Sequence, residues 1–587
     1  MSHRWVCVGV LPFVLAMVLP WLNSGALAQD ERPRTIELES RAALQAFEVL
    51  RNAPEPDPYA APRPFLAARA SVWFGDRRIA ATESAGPAPI GVIGRELARR
   101  LDLAVPEMAM SAPELVIDLE LVVEVIPVEF EDLFAPAVAP GIDGLAVAIG
   151  QGPFRFIFPS ELMRRGLGPR DALRSMLSDD LEPSDPAMVQ PELLEERHGA
   201  RIYRTRVVRL ANRPGETSPR FVFRAGNLVP SASVTMASIE AEARSIAKHM
   251  LSRIGSPGIA GVPAVAFVDP LGLGDEERWR PDGATQCLAA YLLLRYAPRF
   301  DNERDRAEAR AIASQVLTGW RQRLGTTPPY AAAAVAAFTL AADAYEGAPA
   351  IDAGDRVRLR AALTHEVLPR TPAGLRAVAA FGLANLGAHG EESDSRRARQ
   401  ALDAIYDELG ADGLASAMPF IVHAEVLLAA EGEPIRAANI LGDLRDLAEN
   451  AQRTETTSPR EPDLVGGISL SQRGGRTLPP TWQSLRLAAA QAVMLSDPRF
   501  TPSHDVPFRM SSLLASARFC AQLSHEASDP GSGPAQTPVA GVRSGGLRAA
   551  AWSPELPLAA SATGLLFLLE TLDAIEARSP QKPDSDG

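Results

Sequence analysis

Apolar positions fall in two different rhythms along this chain, and the change between them divides it. Ala70 to Ala80 (ASVWFGDRRIA) predicts a strand, a turn at Gly75-Asp76 and a second strand. In Leu115 to Val128, Asp118, Glu120 and Glu124 alternate with Val116, Leu119, Leu121 and Val123, the period of a strand with one covered and one wet face. A turn at Gly141-Ile142-Asp143-Gly144 precedes short strands at Leu145 to Ile149 and Phe154 to Phe158, and a helix opens near Pro159. From 281 the period becomes helical. Thr285 to Tyr296 (TQCLAAYLLLRY) is apolar on nearly every side, as in a helix surrounded by other helices. The next stretch, Glu303 to Leu324, carries a stripe at Ala309, Ile312, Ala313, Val316, Leu317, Trp320 and Leu324 backed by charge, so one face is buried.

That two-helix unit repeats. Small-residue apolar helices start near Thr285, Tyr330, Ala373 and Gly413, spaced 45, 43 and 40 residues apart, and each precedes a charged amphipathic partner (303–324, 355–368, 394–409, 434–450). A period of this size implies an αα-array. After a polar stretch, 451–480, apolar helices resume at Trp482 and at 508–523, and a last one is expected from Ser553, with Ser553 as cap and Pro554 at the first helical position. The last helix (LAASATGLLFLLETL) is too apolar to end an open array, so the helices are expected to close into an α/α toroid.

The fold class expected is therefore multidomain: an α+β N-terminal domain followed by an all-α toroid of inner and outer helix pairs. The divisions are 1–28 (signal peptide), 29–67 (helix and Pro-rich connector), 68–210 (α+β domain), 211–280 (connector), 281–577 (helical array) and 578–587 (disordered tail). Segments 211–280 and 451–480 are the expected sites of proteolytic cutting.

Two stretches resemble known families. Leu115 to Val122 followed by Gly141-Ile142-Asp143-Gly144-Leu145, Phe156-Ile157-Phe158-Pro159 with Gly166, and the basic aromatic strand Ile202-Tyr203-Arg204-Thr205-Arg206 resemble the AMMECR-type domain family over residues 68–210. The resemblance implies a fold. The family's Arg-Gly-Cys-Ile-Gly signature is replaced here by Ile79-Ala80-Ala81-Thr82, which removes whatever its cysteine does. Over 281–577 the helix starts Pro281-Asp282-Gly283, Pro328-Pro329, Thr371-Pro372 and Pro479-Pro480 look like those of terpenoid-cyclase-type toroids, without the D-x-D-D or Q-W motifs.

Met1 to Ala28 has a basic start, an apolar run and the small-residue site Ala26-Leu27-Ala28, the layout of a cleavable secretory signal. No later apolar run is read as reaching the ~18 residues of a bilayer span, so the mature chain is expected to be extracytoplasmic, periplasmic or secreted. Cleavage removes Cys7 and leaves Cys287 and Cys520, read as buried free thiols. The net charge of −13, with no basic tract, argues against a nucleic-acid partner. Lys248 and Lys582 are the lysines among 59 basic residues, so Ser245-Ile-Ala-Lys248 lacks the second lysine motif that serine acyl enzymes need.

No catalytic motif, metal site or cofactor fingerprint is found, and catalytic residues are unknown. His423 and Glu425, a conceivable base and partner, point about 200° apart on one helix, and a core histidine is the simpler reading. His365-Glu366 reads as a solvated face. The expected ligand candidates are the residues at inner-helix starts, Asp282, Tyr330, Asp412, Trp482 and Trp552, where aromatic faces and acceptors would meet helix N-termini. Capping aspartates and packing aromatics are the structural alternative. The expected role is a noncatalytic binding or scaffold protein for a glycan, lipid or protein of the cell envelope; the alternative is an enzyme acting on a carbohydrate or isoprenoid. Secreted material should begin at Gln29, and N-terminal sequencing that finds Met1 would refute the signal assignment.

Overall fold

The computed structural model describes residues 32–52, 65–74, 77–86, 89–106, 108–128, 138–139, 141–165, 167–178, 192–212, 215–224, 228–255, 262–267, 282–366, 371–388, 390, 392–430, 432–469, 472–473, 476–524, 545–553 and 555–579. The signal segment, the turn at Gly75-Asp76 and the tail expected to be disordered lie outside them, apart from residues 578 and 579. The chain divides into two compact units: Met1–Pro127, Ala146–Phe158 and His198–Phe221 form one, and Val128–Leu145, Pro159–Arg197 and Val222–Gly587 the other.

The first unit is built on an antiparallel sheet. Its strands are β1 (Ala67–Phe74), β2 (Arg77–Ala85), β3 (Leu115–Pro127), β4 (Asp143–Ile149), β5 (Arg155–Ile157), β6 (Ala200–Ala211) and β7 (Arg220–Phe221), in the order β2-β1-β3-β6-β4-β5 with β7 on β6. Helices α1 (Arg32–Asn52) and α2 (Pro89–Ala104) cover one face. There Ala68, Ala70, Val72, Leu115, Ile117, Leu119 and Leu121 pack with Phe47, Ile93 and Leu97.

The second face of β3 is not wet, contrary to the alternation. Asp118 and Glu120 are only 5% and 2% exposed. The reason is cross-strand charge. Arg209 of β6 grips Asp118 with two bonds, Nε to Oδ1 at 2.8 Å and Nη2 to Oδ2 at 2.7 Å, and in the register Glu120 lies between Arg69 and Arg209. Paired this way, carboxylates tolerate burial that would expel them singly.

The second unit is helical. It contains α3 (Pro159–Arg165), α4 (Pro169–Leu177), α5 (Glu192–His198, whose last residue falls in the first unit) and α6 (Met236–Ser252). The repeat begins with α7 (Gly283–Tyr296), α8 (Glu303–Gln322), α9 (Pro329–Ala342), α10 (Ala353–Glu366), α11 (Ala373–Ala388) and α12 (Glu392–Glu408). It continues through α13 (Ala411–Ala417), α14 (Phe420–Leu428), α15 (Ala438–Asn450), α16 (Ser484–Ser496), α17 (Val506–Leu523) and α18 (Leu558–Arg578). Pro419, with no N–H to donate, interrupts α13–α14.

The apolar helices touch in succession, α7 to α9, α9 to α11, α11 to α14, α14 to α16 and α16 to α18, and α18 also packs on α7. Helices α8, α10, α12 and α17 pack on α7, α9, α11 and α16, and α6 on α18. Surrounded on all sides, α9 buries Ala333 to Phe338, which explains its lack of a polar face.

Three sequence expectations change. Helix α18 starts at Leu558 rather than Ser553, because the preceding turn is used elsewhere: Ala549 N–H donates to Glu555 O and Ser553 N–H to Ala550 O. It is also long and apolar enough to cross a bilayer, unlike the reading that no run qualifies, but 83% of its apolar window is buried as a core helix. Residues 451–469 do not form an exposed loop. Arg518 donates to the carbonyls of Pro462, Val465 and Val229, Leu464 to Ser469 are buried, and Gly466 (φ +94°) passes so close to Ala515 O that a Cβ would sit 1.8 Å from it.

Removing Asp118 strands a buried guanidinium. Asp118→Ala should cost ~3–5 kcal/mol by urea denaturation, whereas Glu124→Ala, which breaks the exposed 3.0 Å pair with Arg206, should change stability by no more than about 0.5–1 kcal/mol.

Candidate functional site

Helices α7, α16 and α18 each have one face where water retains slight access. On α7 it runs Ala284, Leu288, Tyr291, Arg295; on α18 it runs Ala559, Thr563, Leu566, Glu570, Asp573; on α16 it includes Ser484, Leu487 and Gln491, while Leu485, Ala489 and Ala492 behind them are fully covered. The spacing of three and four is that of one helical face.

These faces carry polar groups at one level. Arg295 pairs with Glu570, and its Nη2 lies 2.5 Å from Asp573 Oδ2; one turn further, Arg299 reaches Asp573 and Glu576 at 2.9 Å each. Ascending positions on α7 meet ascending positions on α18, so the two helices run parallel. Helix α16 runs the same way. Trp482 N–H donates to Ala549 O ahead of α18, and at the far ends Arg578 Nε donates to Leu495 O at 2.7 Å. Gln491 is four residues, about 6 Å, before Leu495, and Glu570 is eight, about 12 Å, before Arg578. Measured from that contact, the two positions differ by about 6 Å along the helix axes.

His423 of α14 joins this level. Its Nε2 is 3.4 Å from Glu570 Oε1, near enough for charge attraction but not aligned as a hydrogen bond. Glu425, the partner considered from sequence, is engaged elsewhere: Tyr406 Oη donates to it at 3.1 Å and Arg436 Nη2 lies at 3.2 Å. Aromatic rings fill in around the imidazole. Tyr291 stacks on Phe338 (6.1 Å), Phe338 meets Phe420 (5.5 Å), and Phe381 meets both Phe420 (5.8 Å) and His423 (5.6 Å).

Burial opposes ionisation of Glu570, but Arg295 and then His423 outweigh it and hold the carboxyl well below its ordinary range. Burial likewise works against the Arg295 charge, and Glu570 overrides it. Burial pushes the Tyr291 phenol up, so it stays a neutral hydroxyl. Gln491 differs from all of these. It is 6% exposed, and neither its Nε2 nor its Oε1 meets a hydrogen-bonding group among the described residues.

Of the sequence-derived candidates, Asp282, Trp482 and Trp552 make other contacts. Asp282 caps α7, its Oδ1 accepting Thr285 N–H at 2.7 Å. Tyr330 and Asp412 are second residues of α9 and α13, and their side chains lie outside the described residues. Trp482 is half-buried against the helical core just before α16. Trp552, half-buried on the same core, has the Arg224 guanidinium 5.4 Å over its ring, and Arg224 is held in turn by Glu461 and, at 3.0 Å, Asp463. Lys248 pairs with Asp305 at 3.2 Å, and Ser245 is half-buried against Gly545. Cys287 and Cys520 are buried free thiols. The side chains of His365 and Glu366 also lie outside the described residues. Among the described residues no three His, Cys, Asp or Glu are placed to hold a metal ion.

No protein-family profile matches the chain, nor does any curated protein. Among solved structures, the crystal structure of the uncharacterized protein PH0010 from Pyrococcus horikoshii is similar at 14% identity, over 31% of this chain and 92% of that one, with a TM-score of 0.22. A likeness of that size carries no argument here.

Two outcomes follow from the geometry. Glu570 has a depressed folded-state pKa, so its contribution to stability is present above the unfolded value of ~4.3 and is lost as pH falls below it. Thermal unfolding across that range should be steeper in the wild type than in Glu570→Gln. Trp482→Ala should lower stability by about 3 kcal/mol in a denaturant titration, as loss of a packed aromatic does; an unchanged midpoint would return Trp482 to the ligand candidates.

Proposed function

We propose that the apolar helices close into an α/α toroid and that the protein is an extracytoplasmic, noncatalytic binding protein whose ligand enters along the toroid axis. The observation that carries this reading is the packing of α18 on both α16 and α7, which returns the succession of inner helices to its start. The secretory layout of residues 1–28 supports the compartment, and the AMMECR-like motifs of 68–210 support an accessory α+β domain at the N-terminus.

Binding is favoured over catalysis by the state of the acids on the axis. A glycosidase needs a carboxyl whose pKa is raised so that it can donate a proton. Glu570 is held in the opposite direction, and Asp573 is shared by Arg295 and Arg299.

The test is a thermal-shift and crystal-soaking screen of the mature chain against envelope glycans and lipids. A ligand present at 100 times its Kd should stabilise the protein by about 2.7 kcal/mol and be recovered unchanged. Turnover of a captured compound would overturn the reading, as would the absence of any ligand.

A further inference from the structure

We infer that His423 is a pH-operated brace: when its imidazole takes up a proton it closes onto Glu570 and ties together α14 and α18, two helices that each pack on α16. The device needs no ligand, so it stands or falls separately from the binding reading.

The contact is incomplete as it stands. His423 Nε2 lies 3.4 Å from Glu570 Oε1, yet that nitrogen is closed to water and makes no hydrogen bond. A neutral imidazole has one N–H and one acceptor, so its Nε2 here is either a misaligned donor or a lone pair turned towards a carboxylate. The imidazolium carries an N–H on both nitrogens and a positive charge, and a small rotation of the ring then makes a charge-assisted bond. Oε1 has a second lone pair with which to accept it beside Arg295. The His423 side chain is 19% exposed, so a proton can reach the ring from solvent.

The surrounding charges favour that proton. Glu570, Asp573 and Glu576 of α18 stand against Arg295 of α7 and Arg299 just beyond it, an excess of one negative charge that a protonated His423 cancels. Also on the α7 side, Tyr291 is kept neutral by burial, and Tyr345 meets it edge-on at 5.9 Å. From α11 the ring of Phe381 faces the imidazole at 5.6 Å, while Arg376, the titratable residue of that helix, pairs with Glu408 of α12 at 2.8 Å. Arg486 of α16 is held by the carbonyls of Met418 and Ser416. Tyr406 of α12 and Arg436, itself paired with Asp403, are engaged with Glu425, which points away from His423 on α14. Burial opposes ionisation of Glu570, but Arg295 and then His423 hold it well below the ordinary carboxylate range. It therefore stays ionised across about pH 5–8, where histidine ordinarily titrates. The brace is present at the acid end of that window and is released as pH rises through it.

Hydrogen exchange of the full chain, read by mass spectrometry in peptides covering Phe420–Leu428, tests this. Wild type and His423→Gln are compared at each pH, so the intrinsic pH dependence of exchange cancels. Protection of α14 in the wild type relative to the variant should rise about tenfold between about pH 8 and about pH 5.5. The rise should disappear when both chains also carry Glu570→Gln. A histidine that only packs would give the same ratio at every pH, which would overturn the inference, as would a ratio that falls on acidification. A rise that survives Glu570→Gln would also overturn it, because another acid would then be the partner. If Glu570→Gln strands Arg295 and the chain does not fold, Glu570→Asp takes its place: withdrawing the carboxylate by one methylene should shrink the rise, and an undiminished rise would remove the pair from consideration.

Discussion

The helical unit depends on a charge pair buried between α7 and α18. Arg295 and Glu570 stand 275 positions apart, yet each is what permits the other to be ionised inside the core. Coulomb attraction offsets the loss of hydration for two charges in contact and for neither alone, so removing one partner leaves a buried charge that costs several kcal/mol. The pair does not make the fold more stable than well-packed leucines would. It fixes which stretches face each other: once Arg295 must meet Glu570, the parallel register of α7 and α18 follows, and the contacts of Arg299 one turn on repeat it.

Much of the architecture was legible from periodicity because periodicity reports burial directly. The strands β1, β2 and β3, the lengths of α7, α8 and α17, and the alternation of apolar and amphipathic helices all follow from which residues must leave water. What was not legible depends on partners. In β3 the pattern shows that Asp118 and Glu120 share a face, but whether that face is wet is decided by Arg69 and Arg209 on other strands. Helix α2 has a readable stripe at Ile90, Ile93, Leu97 and Leu101 that is masked by glycine and proline on its N-terminal side. The start of α18 is also misplaced, since Ser553-Pro554 has the composition of a cap while the Ala549 N–H bonds to Glu555 O and the Ser553 N–H to Ala550 O.

The candidate site shows the same division. The expectation placed it at helix starts, where residue types are suggestive, but Asp282 is spent as a cap and Trp552 lies under Arg224. The buried acid was visible as an anomaly: Glu570 follows the apolar run Gly564 to Leu569 in a helix with covered neighbours on every side of it. Such an interruption in a fully buried helix is the signal a sequence reading can use, because desolvation leaves no neutral explanation for it. Arginine does most of the pairing elsewhere. Arg518 and Arg578 each hold several backbone carbonyls, a task its planar fork performs and a lysine cannot.

The contact between α7 and α18 also bears on how the chain acquires its structure. One apolar flank of α7 is covered only by a helix made more than 250 residues later, so during synthesis the first helices of the array exist for a time with that flank bare. Contacts so distant in sequence make folding slow and prolong exposure of apolar surface to aggregation. A chain of this kind gains from being kept unfolded until its whole length is available.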